Sequence, residues 1–411
     1  MAGWVELLRR QYNYRLRQRL DWWEYNRCWI NSCSLVSCSI ALPAECPDYY
    51  WQKRDLLNTK ELFPEYTEIY SQVVQDCINR VKKTFDRYII PDKNGNRSGK
   101  PRYKKFGRYR SFTYPQMKAD CISGNRITLP KIGDVKIILH RPMPDGFNIK
   151  TATVVCKAGH WYVNLVVEDE SVPEFTLDIK PTDENTAGID LGLKSFLVTS
   201  EGESIDIPRY YRKTQKKIAD HQKQFSRTKK GSKRRPKKAA RLAKIHRKIA
   251  NKRRDFHHKT AKQLIDKYEV IAHEDLTIKN MSARNKPKQG EDGKYLPNGQ
   301  SAKSGLNKSI LDAGWGQFLS ILSAKASRAG RLTVAVNPKG TSEICSSCDV
   351  KVPKLLSDRW HSCPHCGAEL DRDYNAAINV KRRAVGATMK RCKHGQPSLL
   401  NSCVPYFDSG V

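Results

Sequence analysis

Three acidic residues in widely separated segments constrain the fold of this chain more than any other feature. Asp190 lies in Gly-Ile-Asp-Leu-Gly, Glu274 ends the short apolar run Val-Ile-Ala-His-Glu, and Asp373 lies in Asp-Arg-Asp-Tyr-Asn-Ala-Ala. Carboxylates that are grouped in space bind Mg²⁺, and two such ions can clamp a phosphodiester during its cleavage. A fold that uses all three residues must bring these segments to one place. The sequence therefore indicates a metal-dependent active centre built from distant parts of the chain.

The patterns around the acids predict strands and a helix start. The predicted strands are residues 186–191, 196–199, 204–207, 270–276 and 332–336,. Gly188 and Gly192 flank the first acid and are expected to admit a phosphate backbone. A helix is predicted at residues 310–329, and the last helix is expected to begin near Asp373, where its dipole favours a carboxylate. Residues 282–308 are rich in Gly, Lys, Asn and Pro and predict either a mobile lid or a passive loop.

Neighbouring acids compete for two of the three positions. Glu274 and Asp275 are adjacent on a strand and point to opposite faces, so only one of them can reach the metals,. Asp371 and Asp373 are likewise both candidates at the start of the last helix. Arg372 could stabilise developing charge or simply contact a phosphate.

Four of the thirteen cysteines are arranged as two Cys-x2-Cys pairs. They are Cys345, Cys348, Cys363 and Cys366. Four thiolates give closed, tetrahedral coordination, whereas a catalytic zinc needs an open position. The sequence therefore predicts one structural Zn²⁺, and we do not expect the nearby His361 and His365 to be ligands. The odd number of cysteines and the length of the chain argue against a disulfide scaffold.

The chain of 411 residues is strongly basic, with 75 Lys and Arg against 42 Asp and Glu and a net charge of +33. Such a charge repels itself in a free protein and is neutralised by a bound polyanion. No apolar stretch approaches the roughly 18 residues that span a bilayer, and the N-terminus lacks an apolar signal core. We therefore expect a soluble intracellular protein that binds nucleic acid and no membrane.

Two basic segments are the candidate nucleic-acid contacts. In the first, basic and aromatic residues interleave, which suits phosphate contact and base stacking; its residues are Lys100, Arg102, Tyr103, Lys104, Lys105, Arg108, Tyr109 and Arg110. The second, residues 227–254, holds fifteen Lys or Arg and no acid, yet Leu242, Ile245 and Ile249 recur at helical spacing,. Its candidate contacts are Arg234, Arg235, Arg241, Arg247, Arg253 and Arg254. The alternative for both segments is a solvated basic surface.

The order of these signals resembles the TnpB family of transposon-associated, RNA-guided DNA nucleases. The similarity covers roughly residues 50–380, and the Glu-Asp-Leu strand end, the cysteine pairs and the Asp-Arg-Asp-x-Asn motif are its specific part. It implies a RuvC domain whose acids Asp190, Glu274 and Asp373 hold two Mg²⁺. It also implies a noncoding guide RNA and double-stranded target DNA flanked by a short motif. The implied location is the cytoplasm of a prokaryote, at the nucleoid when DNA is bound, and no obligate protein partner is inferred.

The expected fold is α+β and multidomain: an N-terminal helical region and a small β-barrel, then an RNase H-like (RuvC) α/β nuclease domain with an inserted zinc ribbon. The expected boundaries are 1–125 for the helical recognition region, 126–170 for the barrel strands, 171–184 for a linker, 185–336 for the first part of the nuclease with a basic insertion at 209–265, 337–370 for the ribbon, 371–383 for the final helix and 384–411 for a flexible tail. The first residues have a helical pattern from the start, whereas members of the family usually begin with a β-strand. We therefore expect that the N-terminus is truncated and that the first strand of the barrel is missing.

Three other functions share some of these features. A compact type V CRISPR effector has the same chemistry, and genomic context would separate the two. A DNA- or RNA-binding regulator would use the basic surface without chemistry, which the three intact acids argue against. A strand-joining transposase can also carry an acidic triad, but the position of the cysteine pairs disfavours it.

Overall fold

The computed structural model describes residues 1–32, 45–92, 95–118, 120–140, 142–143, 145–168, 179–355 and 358–392. The chain divides into two compact units, Met1–Pro173 and Glu174–Val411. The predicted linker at 171–184 lies outside the described residues as far as residue 178, and so does the tail from residue 393. Among the described helices, none combines the length and apolarity needed to cross a membrane.

The first unit begins with helices that pack through apolar faces. They are α1 (Ala2–Ser32), α2 (Tyr49–Arg54), α3 (Leu56–Leu62), a 3₁₀ turn (Pro64–Glu68) and α4 (Ser71–Ile89). Apolar residues recur along α4 at helical spacing, and Val74, Ile78 and Val81 are fully buried,. They join Leu8 and Leu16 of α1 in one core cluster. The helical, core-facing character predicted for this region is the one that the structure has.

Six strands form two small antiparallel sheets in the same unit. They are β1 (Ser111–Tyr114), β2 (Ile122–Ser123), β3 (Arg126–Leu129), β4 (Gly133–Lys136), β5 (Asn148–Lys157) and β6 (His160–Glu168). The sheet orders are β1-β5-β6 and β2-β3-β4. Ala158 and Gly159 both have positive φ, as a two-residue hairpin turn requires, and they join β5 to β6,. Because β1 pairs with β5, the strands begin before the predicted boundary at residue 126.

The second unit contains the remaining elements. They are β7 (Thr186–Asp190), β8 (Ser195–Thr199), β9 (Ser204–Asp206), α5 (Tyr210–Ser226), α6 (Arg234–Lys267), β10 (Val270–Glu274), α7 (Ile278–Met281), β11 (Lys288–Gln289), β12 (Tyr295–Leu296), α8 (Gln300–Ala313), α9 (Trp315–Arg328), β13 (Leu332–Val336), β14 (Trp360–Ser362), β15 (Glu369–Asp371) and α10 (Arg372–Cys392).

A five-stranded mixed sheet organises this unit, in the order β13-β10-β7-β8-β9. Strands β7, β8 and β9 form an antiparallel meander, and β10 and β13 add to the other side of β7 in parallel. The first three residues of β10 are buried, as expected for a parallel strand covered on both faces,. Helix α10 packs against β7, β10 and β13. Because parallel strands end at the same edge, the carboxyl ends of β7, β10 and β13 lie side by side.

Three predicted boundaries differ in the structure. The predicted helix at residues 310–329 is two helices, because Gly314 has φ +68° and ends α8 where α9 begins,. Helix α10 continues to Cys392, so the predicted boundary at residue 383 falls inside it. The segment at residues 282–308 contains the β11–β12 hairpin and the first half of α8.

Candidate active site and metal centre

The strand register places two of the predicted acids at one edge of the sheet. In the parallel pair of β7 and β10, Ile189 lies opposite His273. Asp190 and Glu274 each follow directly and end their strands. Helix α10 begins at Arg372 and carries Asp373 in its first turn. The sheet and the helix therefore position all three acids from three elements.

Their electrostatics show that the three carboxyl groups share one partly buried place. Burial raises the pKa of Asp190 well above its usual range, and the negative charges of Glu274 and Asp373 raise it further. Burial likewise raises the pKa of Glu274 and of Asp373. Like charges that are held together away from water oppose each other's ionisation, and a bound cation removes that opposition. Carboxylate oxygens are the donors that a hard divalent cation prefers.

The geometry favours Glu274 over Asp275 as the acid of the second strand. Glu274 is partly buried, and its Oε1 accepts a 2.5 Å hydrogen bond from the hydroxyl of Thr341. Asp275 is exposed, and its backbone N–H donates to the carbonyl of Val336, which ends the ladder with β13. The charge of Glu274, and not that of Asp275, is among those that raise the pKa of Asp190.

The geometry likewise favours Asp373 over Asp371. Asp371 is engaged in local structure: its Oδ1 accepts from the backbone N–H of Asp373 at 2.9 Å, and its Oδ2 accepts from Nζ of Lys194 at 3.1 Å. This arrangement caps the first turn of α10. Asp373 is one of the two charges that raise the pKa of Asp190. Arg372 donates to the carbonyl oxygens of Leu355 and Asp358, so its guanidinium is tied to the loop before β14.

The two glycines near Asp190 lie in different surroundings, and only Gly188 departs from the predicted role. A Cβ on Gly188 would lie 2.1 Å from the carbonyl oxygen of Ala377 and 2.6 Å from the amide nitrogen of Lys381. Gly188 therefore allows α10 to lie directly on β7, rather than admitting a phosphate. A Cβ on Gly192 would lie 3.0 Å from the carbonyl of Ser195 and 3.5 Å from Oδ2 of Asp373. Only Gly192 is close to the group of acids.

The four predicted metal-binding cysteines come together. Their four Sγ atoms all lie within 4.8 Å of one another; the residues are Cys345, Cys348, Cys363 and Cys366. Two of the sulfur pairs are 3.6 Å apart, close to the ~3.8 Å edge of a tetrahedron with Zn–S bonds of about 2.3 Å. Backbone N–H groups, first that of Cys366, lower the pKa of Cys363 to about 6, which favours the thiolate that binds a metal,. Against the backbone N–H of Val350, burial and the neighbouring thiols raise the pKa of Cys348 to about 12. The close grouping of the four sulfurs, rather than their pKa values, fits a closed four-sulfur site,.

Two asparagines, which sequence reasoning did not identify, fasten this cysteine module to α10. The buried Asn375 accepts from the backbone N–H of Ser346 and donates to the carbonyl of Ile344. The buried Asn379 donates to the carbonyls of Thr341 and Ile344. Their spacing of four residues puts both amides on one face of the helix. Polar residues that repeat at this spacing inside an otherwise apolar helix face were the available signal.

The predicted nucleic-acid contacts of the first basic segment are exposed, except for Tyr109. Tyr109 is 7% exposed and packs 5.8 Å from the ring of Tyr12, in the core of the first unit. Its aromatic ring completes a hydrophobic core, so the prediction that it contacts nucleic acid is wrong. The side chain of Asn13 in α1 donates to the backbone carbonyl of Lys104 and accepts from its backbone N–H. The other candidates are exposed on this loop; they are Lys100, Arg102, Tyr103, Lys104, Lys105, Arg108 and Arg110.

The second basic segment is helical, and its arginines divide into two groups. Arg235 stacks on the ring of Phe225 at 4.2 Å and donates to the carbonyl of Thr228. Arg253 donates to the carbonyl of Leu311 and lies against Gly314. These side chains hold α6 to its neighbours, and Arg247 is partly buried. The exposed members of the predicted set are Arg234, Arg241 and Arg254.

Two family models match segments between residues 157 and 380. The model described as "Probable transposase" (OrfB of IS605) matches residues 157–285, and the model described as "Cas12f1-like, TNB domain" matches residues 315–380. The first contains the segments of Asp190 and Glu274, and the second contains the four cysteines and Asp373. Together they cover the elements that form the candidate active site.

Two relatives extend the similarity over most of the chain. A Streptomyces pristinaespiralis protein named "Putative RNA-guided DNA endonuclease" is 31% identical over 333 residues, which are 80% of this chain and 75% of the relative. The Escherichia coli K12 protein named "Putative RNA-guided DNA endonuclease InsQ" is 31% identical over 332 residues, 80% of this chain and 78% of its own. The chain superposes on Cas12f1 from the structure of its complex with guide RNA and target DNA with a TM-score of 0.47 and 14% identity, over 91% of this chain and 81% of that one. On the extent of the two sequence matches, the chain belongs to the TnpB family of transposon-encoded, RNA-guided DNA endonucleases.

Proposed function

We propose that this nuclease hydrolyses phosphodiester bonds of target DNA in a Mg²⁺-dependent, RuvC-type active centre formed by Asp190, Glu274 and Asp373. The observation that carries the proposal is the grouping of the three acids at the edge of the β13-β10-β7-β8-β9 sheet, where the charges of Glu274 and Asp373 raise the cost of ionising Asp190. An antiparallel meander followed by two parallel strands on the other side of the first strand is the RNase H-like order expected from the sequence.

Each acid would bind metal through an oxygen that its own element fixes. Asp190 and Glu274 are held by the paired ends of β7 and β10, and Asp373 by the first turn of α10. When bound, two Mg²⁺ ions supply an activated water and stabilise the leaving oxygen. The helix N-terminus beside Asp373 and the side chain of Lys194 add positive potential where a phosphate would lie.

The cysteine module is proposed to hold one structural Zn²⁺, as a ribbon inserted before α10. Its four sulfurs leave no position for water, so the module would act through folding and not through chemistry,. Because Asn375 and Asn379 bond its backbone, the metal would order the segment that leads into the active site.

The exposed basic surfaces are proposed to bind the guide RNA and the double-stranded target DNA. The loop at residues 100–110 and α6 present exposed cations, of which Lys100 is paired with Glu24 and Lys259 with Asp255. These contacts would hold the phosphate backbone, whereas base pairing with the guide would select the target. The proposed location is the prokaryotic cytoplasm.

The test is a set of single substitutions in the protein purified with RNA expressed from its native flanking DNA. Asp190→Ala, Glu274→Ala and Asp373→Ala should each slow target cleavage by at least ~10³-fold, because a misplaced metal ligand costs orders of magnitude in rate. Binding of target DNA, measured by filter retention, should remain close to that of the parent.

Asp275→Ala is the matched control, since its carboxylate is exposed and its backbone bond remains. It should cut nearly as fast as the parent. An inactive Asp275→Ala with an active Glu274→Ala would reverse the choice of ligand, and three triad variants that cut like the parent would remove the active centre from this place.

A further inference from the structure

The side chain of Thr341 lies between the cysteine module and one acid of the active centre. Its hydroxyl is 2.5 Å from Oε1 of Glu274, which is the short distance of a hydrogen bond to a charged acceptor,. Thr341 is only 2% exposed, and it lies four residues before Cys345. The cysteine module therefore limits where Thr341 lies in space, while its hydroxyl bonds Glu274 at the end of β10.

The turn that presents this hydroxyl is clamped on α10 at both ends. Asn379 donates to the carbonyl of Thr341 at 2.9 Å, and Arg383 donates to the carbonyl of Asn337 at 2.5 Å. Between them, Gly340 adopts φ +79°, a conformation that a side chain would strain,. Two side chains of one rigid helix and one glycine thus fix where the threonine points.

The hydroxyl of Thr341 has two acceptors within reach but can donate to only one of them at a time. The carbonyl of Pro338 lies 3.0 Å from the same oxygen, but a hydroxyl carries a single proton,. The shorter contact to a carboxylate is the stronger of the two. With its proton directed to Oε1, Thr341 does not occupy the other oxygen of Glu274.

We propose that Thr341 is a positioning residue that orients the carboxylate of Glu274, and that through it the cysteine module sets the geometry of the nuclease centre. This inference rests on the proposed function of Glu274 as a metal ligand. It assigns to the module a contribution to the reaction beyond keeping the chain folded. Partners of this kind, bonded to a ligating carboxylate, typically change metal affinity or activity by about 10- to 100-fold when they are removed.

The deciding variants are Thr341→Val, which keeps the shape and loses the hydroxyl, and Thr341→Ser, which keeps the hydroxyl. Thr186→Val is the matched control, because Thr186 is equally buried, lies at the opposite end of β7, and bonds only its neighbour Asn185. Each is purified with its RNA, and four properties are measured: the single-turnover cleavage rate, the Mg²⁺ concentration for half-maximal rate, Mn²⁺ binding by electron paramagnetic resonance with the Glu274→Ala complex as reference, and zinc content.

Thr341→Val should cut about 10- to 100-fold more slowly, need more Mg²⁺ and bind Mn²⁺ more weakly, while zinc content and target-DNA binding stay those of the parent. Thr341→Ser should restore most of the rate, and Thr186→Val should not differ from the parent. The inference is overturned if Thr341→Val cuts and binds Mn²⁺ like the parent, or if its loss of activity is matched by loss of zinc. A Glu274→Ala complex that still cuts would instead overturn the proposed function, so the two failures can be told apart.

Discussion

At the scale of single residues, the acids of the active centre are placed where their charges oppose folding. Burial and two neighbouring carboxylates raise the pKa of Asp190 well above its usual range. A carboxyl whose pKa is higher in the folded than in the unfolded chain favours folding most at acid pH, below the unfolded value. That contribution is lost as the pH rises through the folded pKa. At neutral pH without metal, Asp190 therefore lowers the free energy of unfolding.

Asp190→Asn should raise the stability of the metal-free protein at neutral pH, because it removes one of three like charges and keeps the shape of the side chain. The expected gain is about 1 kcal/mol, or roughly 2–4 °C in melting temperature for a domain of this size. The measurement is thermal unfolding with EDTA at pH 7.5 and at pH 4.5, and the gain should shrink at the lower pH.

Asp275→Asn provides the comparison, since this neighbouring acid is exposed and should change the melting temperature by less than about 1 °C. An Asp190→Asn protein that melts below the parent at pH 7.5 would show that the carboxylate stabilises the fold instead of straining it.

Single residues also mark the limit of what the sequence could predict. Strand alternation allowed only one of Glu274 and Asp275 to reach the metals, and the family resemblance selected Glu274. The exposure of Asp275 agrees with that selection. Tyr109 could not be placed, because an aromatic residue among basic ones has the same local pattern whether it stacks on a base or enters a core. Thr341 was not identified, because its partner lies 67 residues away in sequence and no local pattern records such a bond.

At the scale of elements, the packing of α10 on β7 decides where the third acid lies. The helix reaches the strand closely enough that Gly188 faces its backbone directly. Ala376, Ala377 and Val380 on the same helix are fully buried. A small residue on the strand and alanines on the helix let the two backbones approach. This approach carries Asp373 to the end of β7.

Gly188→Ala should lower the free energy of unfolding by about 1–3 kcal/mol, the usual cost of overpacking, and should reduce cleavage by displacing α10. The cause is the clash of the new methyl with the backbone of residues 377 and 381, which cannot rotate away. Melting temperature and cleavage rate, measured on the same preparation, check both effects.

Gly386→Ala tests the same substitution on α10 at a place where a Cβ meets nothing within 4 Å. Here alanine should stabilise the helix by up to ~1 kcal/mol. If both alanines had the same effect on melting temperature, the close approach of helix and strand would not be the reason for the glycine.

Elements were predictable from the sequence where one pattern sufficed. Strands β8, β10 and β13 of the second unit's main sheet follow runs of apolar residues, and β13 begins and ends at the predicted residues. The break between α8 and α9 was missed, because a glycine inside a helical pattern is tolerated as often as it ends a helix, and only its positive φ shows which occurs,. Boundaries such as the end of α10 depend on tertiary contacts that periodicity does not report.

At the scale of the whole molecule, the charge of +33 needs a partner,. Helix α6 spans about 50 Å at ~1.5 Å per residue, long enough to follow several phosphates of a duplex. Some of its arginines are used internally, as Arg235 and Arg253 show. The excess charge available for nucleic acid is therefore smaller than the composition suggests. On α6 it includes the exposed Arg234 and Arg241, which share a face two turns apart, and the exposed Arg254, which lies about 200° around the helix from Arg234,.

The salt dependence of RNA binding measures how many of these charges meet phosphates. Replacing Arg234, Arg241 and Arg254 together by Gln should reduce the slope of log K against log salt by roughly 2–3, because each lost phosphate contact removes about 0.7–0.9. The affinity should fall uniformly across RNA sequences, since phosphate contacts carry no sequence information. A triple change of equal charge at the exposed Lys53, Arg54 and Arg328 controls for net charge alone and should alter the slope less. Equal slopes for the two triple variants would mean that RNA binding responds to the total charge and that α6 is not the binding surface. A lower slope for the α6 variant alone would place the duplex along this helix.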